Sequence, residues 1–260
     1  MGRFFKDLKK YGNYIVYAAK ASLKGELDGS RIGWIWWILE PVMFMLIYMF
    51  VFVTLFKRTT EYLVAFIFIG ISIWRFFNGT VQGCVQLIKR NRNVMSKVYL
   101  PKFSLVLINM LTNGVKLMFS FVIVAGLMVY YKITPSFYML QLIPVLAVLF
   151  LITFGMSLLV MHIGVYFEDL ANFLRPAFQL LFYASGVFYP LNRAWDEAAV
   201  NVIHWLNPIA LILNAARNAL LYKEVFNWIV LFCWALIGAL VTAVSLSLIY
   251  RSENEYVKIV

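Results

Sequence analysis

Residues 225–250 read VFNWIVLFCWALIGALVTAVSLSLIY, a run without one Asp, Glu, Lys or Arg. An α-helix rises about 1.5 Å per residue, so roughly 20 apolar residues cross the hydrocarbon core of a bilayer. In lipid the backbone polar groups must be satisfied within the chain, which leaves helices or a closed barrel. Barrel strands alternate apolar and polar positions over short segments. This run is long and does not alternate, so it reads as a helix that spans.

Five further runs have the same character. Residues 33–56 are apolar except for Glu40, 62–88 except for Arg75, and 103–131 except for Lys116. Residues 133–167 contain His162, and 171–190 carry Arg175 near their start. The 260 residues are 63% hydrophobic and 13% charged. A soluble domain is closer to half apolar and a quarter charged, so this chain lacks the polar material for a water-facing surface. The expected fold is an all-α integral membrane protein with six transmembrane helices, built as a single domain over residues 1–260.

Ahead of the first run, Phe4, Leu8, Tyr11, Ile15 and Ala19 recur at steps of three and four, and lysines fill much of the remaining surface. Residues 1–31 therefore read as an amphipathic helix on the membrane interface, or as a solvated helix packed on its own protein. Seven basic residues precede Gly33 and no long apolar run does, so a cleaved leader is not expected.

Lys and Arg counts in the short loops set the orientation. With both termini cytoplasmic, fifteen basic residues fall on that side and six on the other. The net charge of +11 is then a membrane-surface signal, and no nucleic acid partner is expected. Cys84 and Cys233 both lie in apolar runs, and His162 and His204 are the only histidines. That is neither a disulfide framework nor a metal or triad constellation, so no catalytic and no metal-ligating residue is expected.

Residues 191–224 join the fifth and sixth runs. Trp195, Ile203, Trp205, Leu206, Ile209, Leu211 and Leu213 make the segment amphipathic, and Asn207-Pro208 breaks it, since a residue before proline avoids helical geometry. It reads either as two short re-entrant helices hinged at Pro208 or as an interfacial loop anchored by tryptophans. Charges inside spans are functional suspects because burying them is costly. Glu40 alone is a candidate for proton coupling, against which stands a structural role, snorkelling or pairing with a basic neighbour such as Arg31. The loop KRNRNVMSKVYLPK at 89–102 is a positive-inside anchor or a docking helix for a soluble partner. The 18% aromatic content fits interfacial belts, and it also fits a glycan path, because aromatic faces suit the CH faces of sugars. The chain has no Gly-x-x-x-x-Gly-Lys-Ser/Thr phosphate loop; if ATP drives it, another chain binds the ATP.

Five blocks, in order, resemble the ABC-2 family of exporter permeases, in its capsular polysaccharide, O-antigen and teichoic acid branch. They are Leu23-Lys24 with Ser30-Arg31-Ile32-Gly33-Trp34…Glu40-Pro41; Asn91 to Pro101; Phe167-Glu168-Asp169-Leu170; Ser185-Gly186-Val187-Phe188-Tyr189-Pro190; and Leu206-Asn207-Pro208 with Arg217. Ile32 stands where the family usually has Leu, and Glu168 where it has Arg. The resemblance implies a transport subunit, not an enzyme, in a bacterial cytoplasmic membrane. It implies a homodimer with two copies of a separate ATPase that binds ATP and Mg, and a lipid-linked glycan moving between the two permeases. The coupling segment would be Asn91, Arg92, Asn93, Val94, Met95, Ser96, Lys97, Val98 and Tyr99. Trp74, Phe77, Tyr183, Phe188 and Tyr189 would face the path. An outer gate at 191–224 would use Pro190, Trp195, Trp205, Asn207, Pro208 and Arg217. Rival readings are an ABC-2 permease for a drug or small lipid, a secondary transporter, and a membrane-embedded transferase, for which Asp196-Glu197 with His204 is the only polar group of the required type.

Overall fold

A computed structural model describes residues 2–28, 33–51, 61–95, 97, 99–253 and 255–256. Arg31, Ser96 and Val98, and the last part of the first expected span, fall outside these residues. In order the helices are α1 (Gly2–Asp28), α2 (Ile35–Phe50), α3 (Leu63–Cys84), the short α4 (Leu87–Arg90) and α5 (Arg92–Met95), and α6 (Lys102–Tyr130). They continue with α7 (Leu142–Tyr166), α8 (Leu170–Ala184), α9 (Leu191–Ala194), α10 (Glu197–Leu206), α11 (Pro208–Arg217) and α12 (Trp228–Arg251). A 3-10 turn at Phe137–Gln141 leads into α7, and a π turn at Asn218–Tyr222 extends α11. No strand occurs among the described residues.

Among the described residues four helices are long and apolar enough to cross a membrane: Leu63–Cys84, Lys102–Tyr130, Phe137–Tyr166 and Trp228–Arg251. A fifth crossing is available if Glu197–Leu206 and Pro208–Tyr222, bent by 117°, count as one. Of the remaining expected spans, the first is represented by the 16 residues of α2, and the fifth by the 15 residues of α8, which contains Pro176. Each is short of the roughly 20 residues that a straight crossing requires.

The packing carries its own membrane signature. On α12, Ile229, Phe232, Leu236, Leu240 and Val244 form an exposed apolar stripe at steps of three and four. The opposite face buries Gly238, Thr242 and Ser245 against α7. A soluble helix turns its large apolar residues inward; this one leaves a row of them outward and, between buried Val230, Leu231, Leu246 and Ile249, turns small and weakly polar residues to its contact with α7. That is how helices associate in lipid, where apolar burial supplies no drive and close backbone approach does. At Gly155 of α7 an added Cβ would lie 2.7 Å from the Thr242 hydroxyl, so the two helices meet nearly backbone to backbone.

The start of α1 and the described residues after α12 lie at one end of the bundle, where Arg3 is 2.9 Å from Glu253. The short helices α4 and α5 share that end, since Lys89 contacts Glu168 in the turn between α7 and α8. The turn at 131–136 and the segment after α8 form the opposite end. There Tyr62 meets Tyr131, their rings 5.5 Å apart, and Lys223 donates to Thr134 at 2.6 Å. Helix α1 does not stand apart from the bundle. It packs along α6, Phe4 against Phe103 at 4.9 Å near one end and Glu26 on Lys116 at 2.7 Å near the other.

Candidate functional site

Between α2, α3, α6 and α8, with Glu26 of α1 at its edge, lies a cavity of about 580 Å³. Its apolar wall is mostly aromatic: Trp36, Trp37, Phe44 and Tyr48 from α2, Trp74 and Phe76 from α3, and Phe182 from α8. Its polar wall holds Asn78, Asn113 and Gln179 and two ion pairs. Glu40 is paired with Arg75, and Glu26 with Lys116. The three charges that stood out within the expected spans are therefore gathered into one space, together with one from α1. Among the described residues the partner of Glu40 is Arg75, thirty-five positions along the chain. Each pair places a carboxylate against a cation, as burial of charge requires. The Nη1 of Arg75 is buried behind the cavity wall with no acceptor among the described residues.

Of the five aromatic residues expected to face a path, Trp74 lines this cavity. Phe77 is buried beside it, 6.0 Å between rings. Phe188 is buried behind Tyr48, with ring centroids 3.7 Å apart. Tyr183 is exposed on the outer face of α8, and Tyr189 donates its hydroxyl to the Tyr183 carbonyl at 2.9 Å. Sequence reasoning missed Trp36, Trp37, Phe44, Tyr48 and Phe182. The missing signal was facing: α2 is apolar all round, so its periodicity does not say which side lines a space.

At the opposite end the expected gate residues form a knit structure. Asn207 is the N-cap of α11: its Oδ1 accepts from the amides of Ile209 and Ala210 at 3.0 and 3.2 Å, and Pro208 takes the first helical position. Proline suits that place because its missing N–H would have no partner there and its φ is preset for the helix. The Asn207 backbone is extended, φ −127° and ψ 100°, as a residue before proline prefers. Arg217 closes the helix. It is 3% exposed, and its guanidinium donates to the carbonyls of Phe66, Gly186 and Val187 at 3.2, 2.9 and 2.6 Å. It also lies 3.5 Å from the centroid of the Phe66 ring, a cation–π contact. A planar fork spreads its donors over three nitrogens, so Nε, Nη1 and Nη2 each reach a different carbonyl, whereas an ammonium offers all its donors from one atom. Gly70 makes room for it, since a Cβ there would collide with Nη2 of Arg217 and lie 2.7 Å from the Val187 oxygen. Pro190 caps α9, while Trp195 and Trp205 are exposed on the surface.

At the terminal end the expected coupling segment is helical from Arg92 to Met95. Arg92, Asn93, Lys97 and Tyr99 are exposed, and Met95 packs on the core. Its base is anchored by Ile88 and Leu100, both buried. Glu168, standing where a basic residue was expected, accepts from Lys89 at 2.5 Å, and that hydrogen bond and charge hold its carboxyl below the usual range.

The sequence profile of the ABC-2 type transporter family matches residues 15–221, from within α1 to the end of the π turn. The chain belongs to that family. Such a protein is a transport subunit, and the helices described above make it a multi-pass membrane protein. A relative named O-antigen export system permease protein RfbA, from Myxococcus xanthus, is 26% identical over 224 residues, 86% of each chain. Two from Klebsiella pneumoniae with the same name are each 22% identical over 246 residues, 94% of each chain. The family match takes in all five sequence blocks, and it includes the cavity, the expected coupling segment and the capped hairpin.

Proposed function

We propose that this chain is the permease subunit of an ATP-driven exporter that moves a lipid-linked polysaccharide, of the capsule, O-antigen or teichoic acid type, across the cytoplasmic membrane. The observation that carries the reading is the extent of the likeness: permeases named for O-antigen export align with 86–94% of the chain. The cavity supports it, because aromatic faces, amides and paired charges together offer what a glycan needs: stacking for CH faces and donors and acceptors for hydroxyls.

In this reading the protein acts as a pair of identical subunits with two copies of a separate ATPase, both termini are cytoplasmic, and α2 and α8 with their flanking residues complete six crossings. Helix α1 lies at the cytoplasmic interface, and residues 191–224 form the outer re-entrant gate. The partner binds ATP and Mg. Residues 91–99 seat on it, and its closure tilts the helices and opens a path between the two permeases. The permease supplies differential contacts to two states and changes no bond.

A second reading, export of a small amphiphile, is favoured by the size of the cavity, which falls within the roughly 300–1,000 Å³ typical of small-molecule sites. Co-purification in mild detergent tests the shared part of both. Wild-type permease is expected to bring down the ATPase in a two-plus-two complex, and Arg92→Glu with Lys97→Glu to lose it. A permease that never binds an ATPase would overturn the exporter reading in favour of a secondary transporter.

A further inference from the structure

The described C-terminal residues beyond α12 are built into the fold. Tyr256 is fully buried, and its hydroxyl pairs with Nδ1 of His162 on α7 at 2.5 Å. Tyr166 donates to Glu255 at 2.9 Å. Between them and α1 sits Glu253, its side chain 10% exposed. One carboxylate oxygen accepts from Nη2 of Arg3 at 2.9 Å, the other from the hydroxyl of Tyr99 at 2.9 Å, and Arg3 Nη2 also donates to that hydroxyl at 2.8 Å. The triangle is closed, every member hydrogen-bonded to the other two. It is reinforced from α12, where Tyr250 donates to Asp7 at 2.9 Å and its ring lies 4.6 Å from the Arg3 guanidinium.

The geometry singles out Tyr99. It is the last residue of the expected coupling segment before Leu100 and Pro101 lead into α6, and it is half exposed. Its ring reaches solvent while its hydroxyl is held between the first helix and the last residues of the chain, 96 and 154 positions away. An isolated exposed ion pair contributes little. A shielded carboxylate with two donors, one of them charged, is a different case, because removing either donor leaves it partly unsatisfied.

We propose that Glu253, Tyr99 and Arg3 form a positioning clamp that fixes the exit of the coupling segment to α1 and α12, so that movement of the segment is passed to those helices. The clamp rests on the reading that residues 91–99 seat on an ATPase, and it adds to that reading the route by which the stroke enters the bundle. Residues that dock on the partner decide whether the complex forms. Clamp residues decide how much export each ATP yields.

The test uses the permease–ATPase complex in proteoliposomes, measuring lipid-linked glycan exported and ATP hydrolysed in the same sample. Arg3→Gln removes the charged donor of the triangle, and Glu253→Gln removes the charge that accepts from both other members. Both are expected to assemble with the ATPase and hydrolyse ATP within about twofold of wild type, while export per ATP falls about fivefold, the scale of coupling through such networks. Unchanged export per ATP in assembled Arg3→Gln and Glu253→Gln complexes would overturn the clamp. So would a parallel fall of assembly, hydrolysis and export, which marks a merely structural role. Failure of the docking reading shows separately, as an Arg92→Glu, Lys97→Glu variant that assembles and exports normally.

Discussion

The side-chain amide of Asn207 donates to the hydroxyl of Ser185 at 2.9 Å. The two residues belong to sequence blocks twenty-two positions apart. The same two blocks meet again where Arg217 holds the carbonyls of Gly186 and Val187. The turn after α8 and the hairpin of α10 and α11 are thus one unit, joined by a cap, a hydroxyl and a guanidinium.

Asn207→Ala removes the cap and the bond to Ser185 together, and is expected to cost about 1–2 kcal/mol. Asn207→Asp keeps the capping oxygen and loses only the donation to Ser185, so it is expected to lose less. Thermal unfolding in detergent, followed by helical circular dichroism, ranks the two; equal losses would contradict the assignment of the cap.

Arg217→Met leaves the buried carbonyls of Gly186 and Val187 without this donor, while that of Phe66 keeps its place in the α3 ladder, and is expected to destabilise by about 2–6 kcal/mol, since each unsatisfied buried group costs roughly 1–3 kcal/mol. Arg217→Lys is not expected to rescue, because one ammonium cannot reach carbonyls on α3 and on the 186–187 turn in the fork geometry. Folded yield after size-exclusion chromatography reads this directly. A lysine variant with wild-type stability would show that charge alone matters at this position.

Two glycines give opposite expectations for the same substitution. A Cβ at Gly164 would overlap the carbonyl oxygen of Val85, whereas at Gly126 nothing lies within 4 Å. Gly164→Ala is therefore expected to destabilise by about 1–3 kcal/mol through forced separation of α7 from the end of α3. Gly126→Ala is expected to be neutral or to stabilise by up to about 1 kcal/mol through helix propensity. Unfolding midpoints of the two variants check the pair.

In the cavity, Glu40→Gln leaves Arg75 without its carboxylate, and Arg75→Gln leaves Glu40 without its cation. Each single change is expected to lower stability more than the double change does, since an unpaired charge is worse than none. Export separates structure from contact: if the cavity receives glycan, the double variant regains stability and still exports poorly. Full recovery of both would make the pair a structural element alone.

The sequence carried the helical class, the amphipathic pattern of α1, the position of the break at 207–208 and the blocks that place the chain in its family. Those features are local, set by composition or by a proline. Facing and pairing were not legible. Glu40 found its partner on α3 because the packing of α2 on α3 brings the two together, which no spacing within α2 encodes. Arg217 looked like a gate residue, while its structural setting is a fork that needs three carbonyls from two other segments. The residues after 250 carry too short a pattern to read as an element, yet Glu253 and Tyr256 are buried because α1 and α7 supply partners for them. The run of 171–190 read as a span by apolarity; the structure ends its helix at Ala184, and Gly186 turns the chain with φ +67°.

The most direct measurement of the central claim is transport by the purified permease with its ATPase in proteoliposomes loaded on one face with lipid-linked glycan. The account predicts that glycan reaches the opposite face only with ATP, only when both chains are present, and not with Arg92→Glu, Lys97→Glu permease. Glycan movement by the permease alone, or ATP-driven movement of a small amphiphile with none of the glycan, would contradict it.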